Sequence, residues 1–156
     1  MAELIEIRDL TLLAVGAVGP PGERTFMIQA GSSESQLVVV VEKEQVAMLA
    51  AEAGQFLDQI ARDHPEGHGL VDPADSFLRA PSESLFRARM IGLGYDPDAD
   101  RVLVELREEA PEDDEESEND EDAEGWVARI YATRAQLRSM IATAADSVLS
   151  GRSRWN

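Results

Sequence analysis

The sequence predicts an α+β fold: two pseudo-symmetric β-β-β-α repeats, with antiparallel strands in one or two sheets and two helices packed on them. Three observations predict it. Polar and apolar residues alternate in RTFMIQA (24–30) and RVLVELR (101–107), as in half-buried strands. Two later stretches change to helical spacing, with apolar residues at i, i+3, i+4 and i+7. The order of three strand-like segments and then one helix occurs twice.

In the first half, LTLLAVGAV (10–18) reads as a buried strand, and GPPGE (19–23) supplies turn chemistry through Pro and Gly. RTFMIQA then completes a hairpin, with Phe26, Ile28 and Ala30 on one face. After the turn GSSES (31–35), the β-branched run LVVVV (37–41) reads as a central strand. From Glu42 a helical stripe takes over: Val46, Leu49, Ala50, Ala53, Phe56, Leu57 and Ile60. Pro65 and the glycines of RDHPEGHG end it.

The second half repeats this order. LFRARMIGLGY (85–95) reads as one strand, DPDAD (96–100) as a turn, and RVLVELR as the second strand with Val102, Val104 and Leu106 inward. GWVARIYA (125–132) is the third. Thr133 and Gln136 form a capping box that opens a helix with the stripe Leu137, Met140, Ile141, Ala144 and Val148. The helices align at a shift of 91 residues. The hairpins align at 76 or 77, and 76 keeps their apolar faces in phase. The difference is the segment 111–124, an insertion at a hairpin tip, where extra length costs little loop-closure free energy. One domain over 1–156 is expected: repeat one at about 10–62, a connector at 63–84, and repeat two at about 85–150.

Charge is the outstanding compositional feature. The net charge is −17, and ten of the acidic residues lie between Glu112 and Glu124. So polar and charged a segment is expected to be disordered. An acidic chain repels nucleic acid and anionic membrane unless its bases gather on one face. The absence of cysteine excludes disulfides, thiolate catalysis and cysteine-ligated metals. Glu3, Glu6 and Asp9 argue against a signal or transit peptide, and no apolar run approaches a membrane span, so the expected location is cytoplasmic.

Motifs that carry chemistry are few. Asp96, Asp98 and Asp100 open like a calcium loop, but Arg101 and Arg107 stand where Gly and a bidentate Glu are required, so a turn is the better reading. His64 and His68 flank Glu66, yet Pro65 and Gly67 preclude the helix that would aim two imidazoles together. No nucleophile elbow and no phosphate loop occurs. Neither a metal nor a cofactor is expected. The candidate binding residues are Arg87, Arg89, Arg107 and Arg129 on strand surfaces, with Asp113, Asp114, Glu115 and Glu116 of the acidic segment able to screen them.

The stretches VGAVGPPGERTFMIQA, LVVVVEKEQVAMLAAEAGQFLDQI, LFRARMIGLGYDPDADRVLVELRE and ARIYATRAQLRSMIATAADSVLSGR, with the acidic insertion between the last two, resemble a bacterial family of unknown function found mainly in actinobacteria. The resemblance covers nearly the whole chain. It implies no established enzymatic activity. It also implies that relatives are often encoded beside a phosphoglycerate-mutase-like phosphatase and a lipid-kinase-like protein. Typical members continue after the Gly151–Arg152 match into a zinc-knuckle-like tail of Cys-Pro-x-Cys and Gly-His-x-Cys-Pro. This sequence ends in SRWN and has no cysteine to build such a site.

The expected function is a non-enzymatic adaptor or regulator that binds an unidentified protein partner through a sheet face and a mobile acidic loop. Two alternatives stay open. One is a single-strand nucleic-acid binder autoinhibited by the acidic loop, for which bases and aromatics are scarce. The other is an enzyme of unrecognised type, acting with a neighbouring phosphatase and using His64, Glu66 and His68. The oligomeric state is left open.

Overall fold

A computed structural model describes residues 2–20, 22–65, 83–108 and 125–153. The acidic segment with Asp113, Asp114, Glu115 and Glu116, and Glu66 and His68 of the connector, lie outside the described residues.

Eight strands and two helices follow in the order β1 (Ala2–Ile7), β2 (Leu12–Val18), β3 (Thr25–Gly31), β4 (Gln36–Val41), α1 (Lys43–Asp63), β5 (Phe86–Arg87), β6 (Met90–Asp96), β7 (Arg101–Arg107), β8 (Gly125–Ala132) and α2 (Arg134–Ser153). They form two four-stranded sheets, ordered β2-β3-β4-β5 and β1-β8-β7-β6. The α+β class is as the sequence predicts, but each half has four strands before its helix rather than three.

Two features were not legible from the alternation. The stretch at 85–95 is not one strand. Leu85 and Ala88 donate their N–H groups to the carbonyls of Val38 and Val40, so β5 runs parallel to β4. One residue later Arg89 donates to the Arg107 carbonyl, and the chain has entered the other sheet. Residues 2–7 form a further strand, β1, parallel to β8. Each sheet is therefore mixed: three antiparallel strands from one half of the chain and a parallel strand lent by the other half.

The registers relate the halves closely. Phe26 stands opposite Val41, and Val102 opposite Ala132, which are shifts of 76 and 91 residues. Val39 stands opposite Phe86, and Ile130 opposite Ile7. Gln45 and Gln136, also 91 apart, occupy the third position of their helices and bond alike. Each Oε1 accepts the N–H of the residue before its helix, Glu42 or Thr133, at 2.8 Å. Each Nε2 donates to a carbonyl just beyond the lent strand: Gln45 to Ala88 at 3.2 Å, and Gln136 to Leu10 at 2.9 Å. One side chain thus caps a helix and fastens the exchanged strand.

The core lies where both helices meet the inward sheet faces. Val46, Leu49, Ala53, Leu57 and Ile60 of α1 join Leu137, Met140 and Ala144 of α2, with Ile28, Val39, Val104 and Ile130 from the sheets, in a single buried cluster. Burying each larger aliphatic contributes about 1.5–3 kcal/mol. The opposite faces of the two sheets differ. Leu12, Ala14, Met27 and Val38 are buried there in the first sheet, whereas the second sheet presents charged residues.

Candidate functional site

The four arginines singled out in the sequence do not share one surface. Arg107 and Arg129 do meet, on the outward face of the second sheet. Glu105 accepts from Arg129 Nε at 2.8 Å and from Arg107 Nε at 3.2 Å. Glu6 on β1 lies 4.0 Å from Arg129 and 3.7 Å from Arg8. Register requires this ladder, because Glu6, Arg129 and Glu105 stand side by side across three strands. Burial alone would raise the Glu105 pKa, but the hydrogen bonds from Arg129 and then Arg107 outweigh it and hold the carboxyl below its ordinary value. The charges of this face are largely committed to one another.

Arg87 belongs to the first sheet, where its Nη1 pairs with Glu42 at 2.7 Å; both side chains are about 60% exposed. Arg89 lies past the crossing between sheets. It is exposed, and among the described residues it makes no ion pair.

Arg89 opens onto a groove that residue-by-residue reading missed. β6 is the outermost strand of its sheet, with no strand beside it among the described residues. In the first sheet α2 lies directly against the corresponding edge strand β2, whereas α1 touches β6 only sparsely. The space left between α1 and β6 forms two cavities of about 230 and 410 Å3 that share Glu52, Ile91 and Leu93. Gln45, Met48, Leu49 and Arg89 line one end, and Gln55, Phe56, Gln59 and Gly92 the other. Met48 and Met90 are 58% and 41% exposed there. The helix side is one surface row, with Gln45, Met48, Glu52, Gln55 and Gln59 spaced by three or four residues.

The turn read as DPDAD does carry chemistry, although of an internal kind. Asp96 Oδ1 accepts the N–H groups of Asp98 and Ala99, an Asx turn. Asp100, at φ 54°, accepts from Tyr95 Oη at 2.7 Å and from Arg134 Nε at 2.9 Å. Arg134 is 7% exposed and also donates to the His64 carbonyl at 2.8 Å and to Tyr95 Oη at 3.1 Å. The His64 ring lies 5.1 Å from the Tyr95 ring. The network ties the end of α1 to the start of α2. Burial, reinforced by the bond to Asp100, raises the Tyr95 pKa against the opposing influence of Arg134.

A third concavity, of about 390 Å3, lies at the N-terminal end of α1 and is lined by Gly22, Arg24, Thr25, Phe26, Val40, Val41, Lys43 and Arg87. Among the described residues no group of three or more His, Asp or Glu side chains could hold a metal ion. No helix among them is long and apolar enough to cross a membrane.

No curated protein and no solved structure matches the chain. A family model does match, over residues 6–155, and spans both sheets, both helices, the groove and the cationic concavity. The chain therefore belongs to the family described as protein of unknown function (DUF3090).

Proposed function

We propose that the protein is a non-enzymatic adaptor that binds an extended segment of a partner protein along β6, in the groove beside α1. The observation that carries this reading is the β6 edge, which no strand pairs among the described residues, facing a helix that stands off from it. A free strand edge offers main-chain donors and acceptors to an added strand, and flanking cavities select its side chains. The dimensions agree. From Gln45 to Gln59 the helix advances about 21 Å at ~1.5 Å per residue. An extended peptide of about six residues covers that length at ~3.3 Å each. Met48, Leu49 and Ile91 suit an apolar side chain, and Arg89, which makes no ion pair among the described residues, suits an acidic residue at that end of the peptide.

The acidic segment enters this reading through its point of attachment. It follows Arg107, which pairs with Met90 and accepts the Arg89 N–H through its carbonyl. Glu108 and Trp126 close its base, with Glu108 N–H donating to the Trp126 carbonyl at 2.9 Å. The ten carboxylates of the segment that follows β7 compete with an acidic partner peptide for Arg89, and salt weakens that competition.

The test is selection from a displayed library of random peptides, followed by affinity measurement and amide-shift mapping with the intact protein. Enriched peptides should combine an acidic residue with an apolar one and perturb β6 and α1. Met48→Asp and Arg89→Glu, both at exposed positions, should abolish binding without lowering Tm. Replacing 112–124 with a short Gly-Ser turn should tighten binding, most at low salt. Peptides that map to another surface, or that bind both variants as well as the parent, would sink the proposal.

A further inference from the structure

The concavity at the start of α1 carries a second inference, independent of the groove. It draws three of the fourteen bases of an acidic chain, Arg24, Lys43 and Arg87, onto one wall. Lys43 is the only lysine in the sequence and the first residue of α1, whose start is already capped by the Glu42 carboxylate. Arg87 is bound to Glu42, which offsets one positive charge. Arg24 and Lys43 make no ion pair among the described residues. The Arg24 Nε is shielded from solvent and has no hydrogen-bond partner. A buried donor left in that state costs free energy unless a ligand, an ion or water completes it, and Arg134 Nη1 in the other half is in the same state.

The other half of the chain shows what a closed version of this site looks like. At the register shifts of 76 and 91 residues, Asp100 corresponds to Arg24 and Arg134 to Lys43. Asp100 and Arg134 neutralise each other at 2.9 Å, and Tyr95 fills the space beside them. In the first half the acid is replaced by a base, and Ala17 stands at the place of Tyr95. Among the described residues the same position thus carries two bases and no paired acid.

We propose that this cavity binds the phosphomonoester group of a ligand, with Arg24 and Lys43 as its donors. A dianion matches two cations that make no ion pair among the described residues, and about 390 Å3 leaves room for an organic part beyond the phosphate. Long-range repulsion from a net charge of −17 opposes casual anion binding, so affinity here must come from these local donors.

Three probes separate the sources of such a group: inorganic phosphate, glycerol 3-phosphate, and vesicles containing phosphatidic acid, each at matched ionic strength. Amide-shift titration of the intact protein should show saturable shifts at Gly22, Thr25 and Lys43 at millimolar phosphate. Loss of one charge-assisted contact should weaken binding about tenfold in Arg24→Gln and in Lys43→Gln. Glu42→Gln should strengthen it. Thermal melts without ligand verify that each variant is folded, and two separate variants guard against one that is not. Binding of the soluble probes supports a small-molecule ligand; binding of the vesicles alone supports a lipid headgroup at the same donors. Absence of saturable shifts with all three probes, or binding by both charge-removing variants as tight as the parent's, overturns the proposal.

Discussion

Replacing Gln136 with Leu should destabilise the protein far more than replacing Gln45 with Leu, although the two amides make the same two bonds. Gln136 is 7% exposed, and its loss strands the Thr133 N–H and the Leu10 carbonyl in a buried setting. A buried unsatisfied group costs about 1–3 kcal/mol, so losing both bonds should cost about 2–6 kcal/mol. Leu keeps most of the volume, so little of this is cavity. Gln45 is half-buried, and its bond to the Glu42 N–H is exposed, so water can replace part of what is lost. There the expected cost is about 1 kcal/mol or less. Urea unfolding at constant m-value measures both. A Gln45 variant as damaged as the Gln136 variant would refute the argument that burial rather than bonding pattern sets the cost. So would a Gln136 loss below about 1 kcal/mol.

Further expectations concern the ladder, the Tyr95 phenol and the lent strand. Glu105 is held below the ordinary glutamate value of 4.5, so its stabilisation is present above that pH and lost as pH falls through the folded-state value. Denaturant midpoints measured down the acid range should fall less steeply for Glu105→Gln than for the parent. The Tyr95 phenol is raised above 10.0, so ultraviolet titration should show a tyrosine ionising late, and Tyr95→Phe should remove that phase. Ile7 on β1 is 2% exposed, and Ile7→Ala should cost about 2–5 kcal/mol in urea unfolding. Leu4→Ala, at a position 52% exposed on the same strand, should cost less than about 1 kcal/mol. Equal losses would mean that β1 is not anchored as described.

Local chemistry by itself determined a good deal of this protein. Alternation in RTFMIQA and RVLVELR determined which residues face inward, because strand side chains alternate strictly and only one face can reach the helices. Thr133 and Gln136 announced the start of α2, since a capping box involves only neighbours in sequence. The shift of 76 residues, preferred because it keeps the apolar faces in phase, is the one seen in the strand register. Even the hidden correspondences were present in the numbering, for Gln45 with Gln136 and Lys43 with Arg134 stand at the same spacing of 91.

What only the tertiary structure decided is where the halves exchange. Parallel pairing of β1 with β8 and of β5 with β4 joins residues that are 123 and 47 positions apart at the register pairs Ile7–Ile130 and Val39–Phe86. No local pattern encodes a partner so distant, and AELIEI or FR is too short to show a period. The same exchange divides Arg87 from Arg89, placing one at the cationic cavity and the other at the groove. Charge type is legible residue by residue. Whether an arginine ends beside Glu105, beside Asp100 or beside open space depends on which strands lie next to it, and long-range packing alone determines that.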